Sequence, residues 1–256
     1  MAFNIKTNSS CQIVTAQMGN FSIIEYTRDP SVSRSDAQTE YFMSKMNVRR
    51  RQVQCNLNGQ NTVVIQAGAM QWMAGNVNSN TGIKGAGDLF KKAFAGKVTG
   101  ESAIKPEYFG QGILVLEPTY KHLILEDVGT WGPAGIVIED GMFLACDGTL
   151  QQRVVARSNL SSALGGNEGL FNLGLVGNGV AVLESNVPRD ELVEIELMND
   201  VVKIDGSYAI CWSGSLQFTV ERSSSSLLGS AVNGEGLVNV YRGTGKVLMA
   251  PLTAAR

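Results

Sequence analysis

The sequence predicts an all-β fold of three tandem pseudo-symmetric units, each a small β-sandwich or a short double-stranded β-helix. Three observations lead there. First, Gly166-Asn167-Glu168-Gly169-Leu170-Phe171-Asn172 recurs as Asn233-Gly234-Glu235-Gly236-Leu237-Val238-Asn239, with a weaker copy at Gly100-Glu101-Ser102-Ala103-Ile104-Lys105. Each copy is followed by a Gly-x-Gly segment whose last glycine is residue 112, 179 or 245, so the spacing is 67 and 66 residues. A fixed period of this kind defines the structural unit before any finer reading. Second, Val64-Ile65-Gln66-Ala67-Gly68-Ala69-Met70-Gln71-Trp72 matches the segments starting at Val137 and Val202. Each reads as strand, tight turn and returning strand, with Asp140-Gly141 and Asp205-Gly206 tolerating the positive φ angles a hairpin needs. Third, 29 glycines and only 17% charged residues suit many short strands joined by turns.

From the start of the chain, residues 1 to about 47 form a lead-in. Cys11 to Gln17 and Phe21 to Tyr26 alternate as short strands, and Asp29-Pro30-Ser31-Val32-Ser33-Arg34-Ser35 is a loop. Ser35 is placed to cap a short helix over Asp36 to Lys45, with Tyr41, Phe42 and Met46 on its apolar side. The units then span 48–120, 121–187 and 188–256. In the third, Leu192, Val193, Ile195 and Leu197 interleave with Glu191, Glu194 and Glu196, one wet face and one buried apart from the adjacent Leu192-Val193. No proline-rich linker separates the units, so they are expected to pack as one body.

Composition removes several function classes. No run of eighteen apolar residues and no basic-then-apolar leader pattern occurs, which predicts a cytoplasmic protein. Cys11, Cys55, Cys146 and Cys211 have no metal or redox spacing and read as small buried hydrophobes. His122 is the sole histidine, on an alternating strand, too little for a histidine metal site. Gly243-Thr244-Gly245-Lys246 lacks both the first glycine and the Mg-binding hydroxyl of a phosphate loop. Asp140 and Asp205 are turn formers without a repeated acid or base partner. No catalytic residue, metal ligand or cofactor site is therefore assigned.

The hairpin Ile65-Gln66-Ala67-Gly68-Ala69-Met70, the glycine-bracketed segments at 166–171 and 234–238 and the Gly-x-Gly segments resemble the altered-inheritance-of-mitochondria (twenty-four) family over about residues 48 to 252. That family is in turn described as similar to the tryptophan RNA-binding attenuation protein. The resemblance implies a compact β fold in triplicate, a homotrimer closing a ring of nine units, and no established enzymatic activity. The first copy departs from the pattern at Ala67, Ser102 and Pro106. Nucleic acid is an improbable partner: Arg49-Arg50-Arg51 is an unrepeated basic run, read as a solvated strand start, and the formal charge is −2.

Two repeated features remain. Glu101, Glu168 and Glu235 occupy one place in each unit and are expected to accept backbone N–H groups where units meet. Between the landmarks lie small-residue loops carrying Leu89, Phe90 and Phe94, Leu160 and Leu164, and Leu227 and Leu228. Gathered on one ring face, these would contact a protein partner or membrane surface. The reading is a noncatalytic self-assembling scaffold. The alternative is a small-ligand binding protein or uncharacterised enzyme with a pocket at a repeat or subunit junction.

Overall fold

The computed structural model describes residues 3–6, 10–81, 105–156, 171–206, 208–222 and 237–252. In chain order the strands are β1 (Gln12–Met18), β2 (Phe21–Tyr26), β3 (Arg51–Ile65), β4 (Met70–Asn80), β5 (Glu107–Leu116), β6 (His122–Asp127), β7 (Ile136–Ile138), β8 (Phe143–Asp147), β9 (Gln151–Ala156), β10 (Phe171–Val176), β11 (Val180–Ser185), β12 (Val193–Asp205), β13 (Ala209–Ser213), β14 (Gln217–Arg222) and β15 (Leu237–Met249). Among the described residues there is one α-helix, α1 (Ala37–Lys45), which joins β2 to β3. The molecule is mostly β, as the alternating patterns predict.

The strands make two antiparallel sheets. One runs β1-β2-β3-β8-β11-β6, with β5 also on β3 and β4 beyond β5; the other runs β12-β15-β13-β7-β10-β9, with β14 also on β15. Long strands change partners along their length. β3 gives Arg51 to Cys55 to β2 and Val63 to Ile65 to β8, while β5 lines its other side. This forking curls the sheets, because one twisted strand cannot stay in register with a single neighbour over fifteen residues.

The expected hairpin glycines take the conformation their turns require: Gly68, Gly141 and Gly206 have φ of 82°, 76° and 58°. The Gly-x-Gly segments, whose glycines suggest closing turns, differ from one another in the structure. Only Gly177-Asn178-Gly179 separates two strands; Gly110 and Gly112 lie inside β5, and Gly243 and Gly245 inside β15. At Gly110, φ is 111° and an added β-carbon would collide with the Asn76 carbonyl of β4. The glycine bends the strand and keeps its neighbour close, so pairing continues through the bend.

Helix α1 begins at Ala37 with Asp36, not Ser35, at the N-cap position and no side-chain cap hydrogen bond; Ser33 Oγ accepts the Asp36 N–H at 3.2 Å in the preceding turn. No residue of the helix is buried; Tyr41, Phe42 and Met46 are exposed. It is held at its ends instead, by Ser44 Oγ donating to Thr27 O (2.8 Å) and Tyr120 Oη donating to Glu40 (2.9 Å).

Three apolar cores fill the sheets. Val63 and Ile65 of β3 enter the first, with Leu114 and Leu116 of β5 and Ala145 and Val182 from β8 and β11. The second takes Ile136, Ile138, Phe143 and Leu175, together with Cys211 and Leu248 from later strands and Val64 from β3. In the third, Trp212, Phe218 and Tyr241 stack with ring centroids 5.1 to 5.3 Å apart, beside Ile204 and Val137. Adjacent residues such as Val63 and Val64 therefore serve successive cores, since side chains alternate across a strand.

Candidate functional site

The apolar loop residues Leu89, Phe90, Phe94, Leu160, Leu164, Leu227 and Leu228 lie outside the described residues, and so do Glu101, Glu168 and Glu235. The remaining chemistry-bearing residues can be placed. His122 begins β6, half-buried, and its pKa is lowered first by burial and then by Arg51, which favours the neutral ring. The four cysteines are buried. Burial, followed by the Asp147 charge, pushes the Cys146 thiol up to about 12, and Cys211 is raised by the same leading cause. Neither is a thiolate nucleophile at neutral pH. Among the described residues no cluster of three or more His, Cys, Asp or Glu is placed to hold a metal. No helix among them is long and apolar enough to cross a membrane.

Arg49-Arg50-Arg51 is not the solvated run expected. Arg51 is buried, its Nε 3.0 Å from Glu25, and its Nη2 donates to the Asn47 carbonyl at 2.9 Å. Arg49 meets the same Glu25 at 2.7 Å, and Arg50 pairs with Asp29. Sequence alone hid this, because the acids sit more than twenty residues upstream on β2 and in the loop after it. The arginines pin the lead-in to β3. Beside them is a cavity of about 430 Å³, lined in part by Tyr26, Arg28, Val32, Tyr41, Lys45 and Arg50.

The other feature of note is a pair of sheet edges. Inside the chain, the end of β3 pairs with β8, Val63, Val64 and Ile65 facing Asp147, Cys146 and Ala145. The Gln66 N–H donates to Leu144 O (2.8 Å) and the Gly148 N–H to Thr62 O (2.9 Å). β7 meets β13 in the same way, Ile136, Val137 and Ile138 facing Ser213, Trp212 and Cys211. There the Glu139 N–H donates to Ile210 O (3.0 Å) and the Gly214 N–H to Gly135 O (2.8 Å). Among the described residues, by contrast, β4 pairs with β5 alone and β12 with β15 alone.

Apolar side chains line the β4 edge. Met70, Trp72 and Met73 are 36%, 38% and 45% exposed, although β4 pairs with β5 just as β8 pairs with β11. The Phe3 ring comes near the same strand at Gly75. On β12, Val201 and Lys203 are exposed while Ile204 is buried. Sequence reading passed over these edge residues. Its signal was a large Trp72 where the matching hairpins carry the small Ala145 and Cys211.

Comparison with known proteins bears on residues 44–252, which match the family model described as mitochondrial biogenesis AIM24. The chain belongs to the AIM24 family. An uncharacterised protein of Streptococcus pyogenes serotype M6 is 29% identical over 208 residues, covering 78% of this chain and 81% of the relative. The X-ray structure of a Streptococcus pyogenes protein is similar to this AIM24 chain with a TM-score of 0.60 and 27% identity, over 81% of this chain and 90% of that one.

Proposed function

We propose that this AIM24-family protein is a noncatalytic scaffold of three tandem pseudo-symmetric units, 48–120, 121–187 and 188–256, that assembles with itself in the cytoplasm. The observation carrying the reading is a common pairing plan. In each third, the last strand or strand pair (β5, β10 with β11, β15) lies between the first (β3, β6 with β7, β12) and the middle one (β4, β8 with β9, β13 with β14). The same register shift recurs where Gln71, Leu144 and Ile210 are skipped. Register also refines the sequence match: Lys203, not Val202, stands where Val64 and Val137 stand, because the third hairpin has one residue fewer before its glycine.

A homotrimer of such chains would close a ring of nine units, the arrangement implied by the resemblance to the tryptophan RNA-binding attenuation protein. Glu101, Glu168 and Glu235 would brace unit ends. Leu89, Phe90, Phe94, Leu160, Leu164, Leu227 and Leu228 would then gather on one face and recruit a protein partner or membrane surface. Light scattering after size exclusion tests the assembly: a trimer mass is expected, and a monomer at all concentrations would overturn it. For recruitment, the combined Leu89→Ser, Phe90→Ser and Leu227→Ser variant should lose liposome or partner binding while keeping its mass.

A second reading, small-ligand binding, draws on the cavity between α1 and the start of β3, which lies where the lead-in meets the first unit. A saturable thermal shift with a metabolite, lost in Tyr41→Ala, would favour it.

A further inference from the structure

The two internal junctions obey one rule of register, and that rule leaves two edges over. Val63, Ile136 and Val202 face Tyr108, Leu175 and Tyr241, which each stand four residues before Gly112, Gly179 and Gly245. On the receiving side, Met73, Cys146 and Trp212 face Leu114, Ala181 and Val247, two residues after the same glycines. These anchors number the strands from the Gly-x-Gly glycines alone, independently of the hairpin match. In both internal junctions the donor strand of one third pairs with the receiver strand of the next, with identical hydrogen-bond parity. Among the described residues, donor strand β12 has no receiver strand beside it and receiver strand β4 has no donor strand beside it.

We infer that β12 of one copy pairs antiparallel with β4 of a second copy, head to tail, in the register of the internal junctions. Val202 then faces Ala74, Lys203 faces Met73 and Ile204 faces Trp72. The Asp205 N–H donates to the Gln71 carbonyl, and the Gly75 N–H donates to the Val201 carbonyl. Gly75 stands where Gly148 and Gly214 stand, whose added β-carbons would strike Thr62 or the Ala134 carbonyl across the junction; Gly75 itself is already required by its φ of 99° and the Gln111 carbonyl of β5. This inference rests on the self-assembly reading and adds the surface through which it happens.

Burial supports a second copy as the occupant. Ala145 and Cys211, which occupy the position of Trp72, are 0% exposed because the preceding third covers them. Their side chains enter the preceding third's core. By the same geometry Trp72 of the second copy would enter the aromatic core of Trp212, Phe218 and Tyr241. The departures fit a contact between separately folded chains. Gln71 stands in place of Leu144 and Ile210, and Lys203 in place of Val64 and Val137. Each keeps an edge soluble until it is paired, and the lysine stem can still lie over Met73. A heterologous contact of this type forms a ring if its rotation closes and a filament if it does not.

The test is disulfide trapping of the full chain. Ala74 and Val202 would form a non-hydrogen-bonded pair, the geometry in which cross-strand β-carbons come closest. All four native cysteines are buried and give little background. The Ala74→Cys, Val202→Cys double variant should yield covalent dimers and trimers under mild oxidation. Ala74→Cys, Lys203→Cys, one residue out of register and on the opposite face, should not. Lys203→Pro removes an outward N–H, because Ile65 N, the counterpart of Ile204 N, turns inward to Pro106 O. It should dissociate the assembly with its β circular-dichroism signal kept. If the wild type assembles yet the in-register pair stays unlinked and Lys203→Pro keeps its mass, the inference fails and self-assembly stands. If the wild type is monomeric, both fail. In-register links that form only after residues 1–6 are deleted would place the Phe3 segment on the edge and overturn the inference.

Discussion

The starts of β8 and β4 are alike in everything but their surroundings. Both follow a tight turn at a positive-φ glycine, both pair with the stretch just after a Gly-x-Gly segment, and both skip one residue at the same place. Yet Phe143, Ala145 and Cys146 are at most 3% exposed, whereas Met70, Trp72 and Met73 are each more than a third exposed. Local sequence makes the hairpin in both. A neighbouring strand, β3, makes the core in only one. Burial in this chain thus depends on the neighbouring strand as well as on the residue, and the exposure of Met70, Trp72 and Met73 is the observation behind the proposed self-association.

The sharpest way to break the comparison is to put a charge at the same place in both strands. Ala145→Lys buries an unpaired ammonium in the first core and should cost several kcal/mol, on the order of the whole stability of a small domain. Loss of the β circular-dichroism signal or of soluble yield would show it. Trp72→Lys should keep the fold and Tm of the isolated chain while lowering its mass by light scattering. Equal unfolding in both would erase the distinction.

Trp212→Ala removes the centre of the aromatic core and should cost about 3–5 kcal/mol by denaturant unfolding. If the proposed interface covers that core, the same variant should also weaken assembly, whereas Leu114→Ala, in the first core, should lower stability with less effect on mass at the same residual stability.

Gly110→Ala combines a left-handed φ with a collision against the β4 backbone, and should cost more than about 1–3 kcal/mol. Gly68→Ala meets nothing within 4 Å and carries only the conformational penalty, roughly 1 kcal/mol. The difference, measured by thermal unfolding, reports how tightly β4 is held to β5.

The smallest effect concerns β14. Arg242 makes two bonds to Glu221, at 2.6 and 2.9 Å, and these, with Thr219, hold its pKa at about 2 against an ordinary 4.5. A depressed carboxylate stabilises the fold above its unfolded pKa, and that contribution disappears as pH falls from about 4.5 to about 2. Arg242→Ala should flatten the pH dependence of Tm in that window and leave it unchanged near pH 7.

Strand alternation and glycine spacing made the β class, the lead-in strands and the hairpin turns legible, because those features are encoded within a few residues. The helix was legible in position but not in packing, since Tyr41, Phe42 and Met46 form a local pattern with no core behind it. Arg49, Arg50 and Arg51 were misread because their acids are distant in sequence. The β4 edge escaped notice for a related reason: Trp72 sits in the same hairpin pattern as Ala145 and Cys211, and the strands that cover those two, β3 and β7, are distant in sequence.

Hydrogen exchange along β4, followed as protein concentration rises, tests the account most directly. Outward-facing amides of Met73 and Gly75 should exchange quickly in the dilute chain and become protected as copies pair, with those of the inner strand β8 protected throughout. Rapid exchange at Met73 and Gly75 that stays the same at every concentration, in a sample whose mass shows assembly, would contradict it.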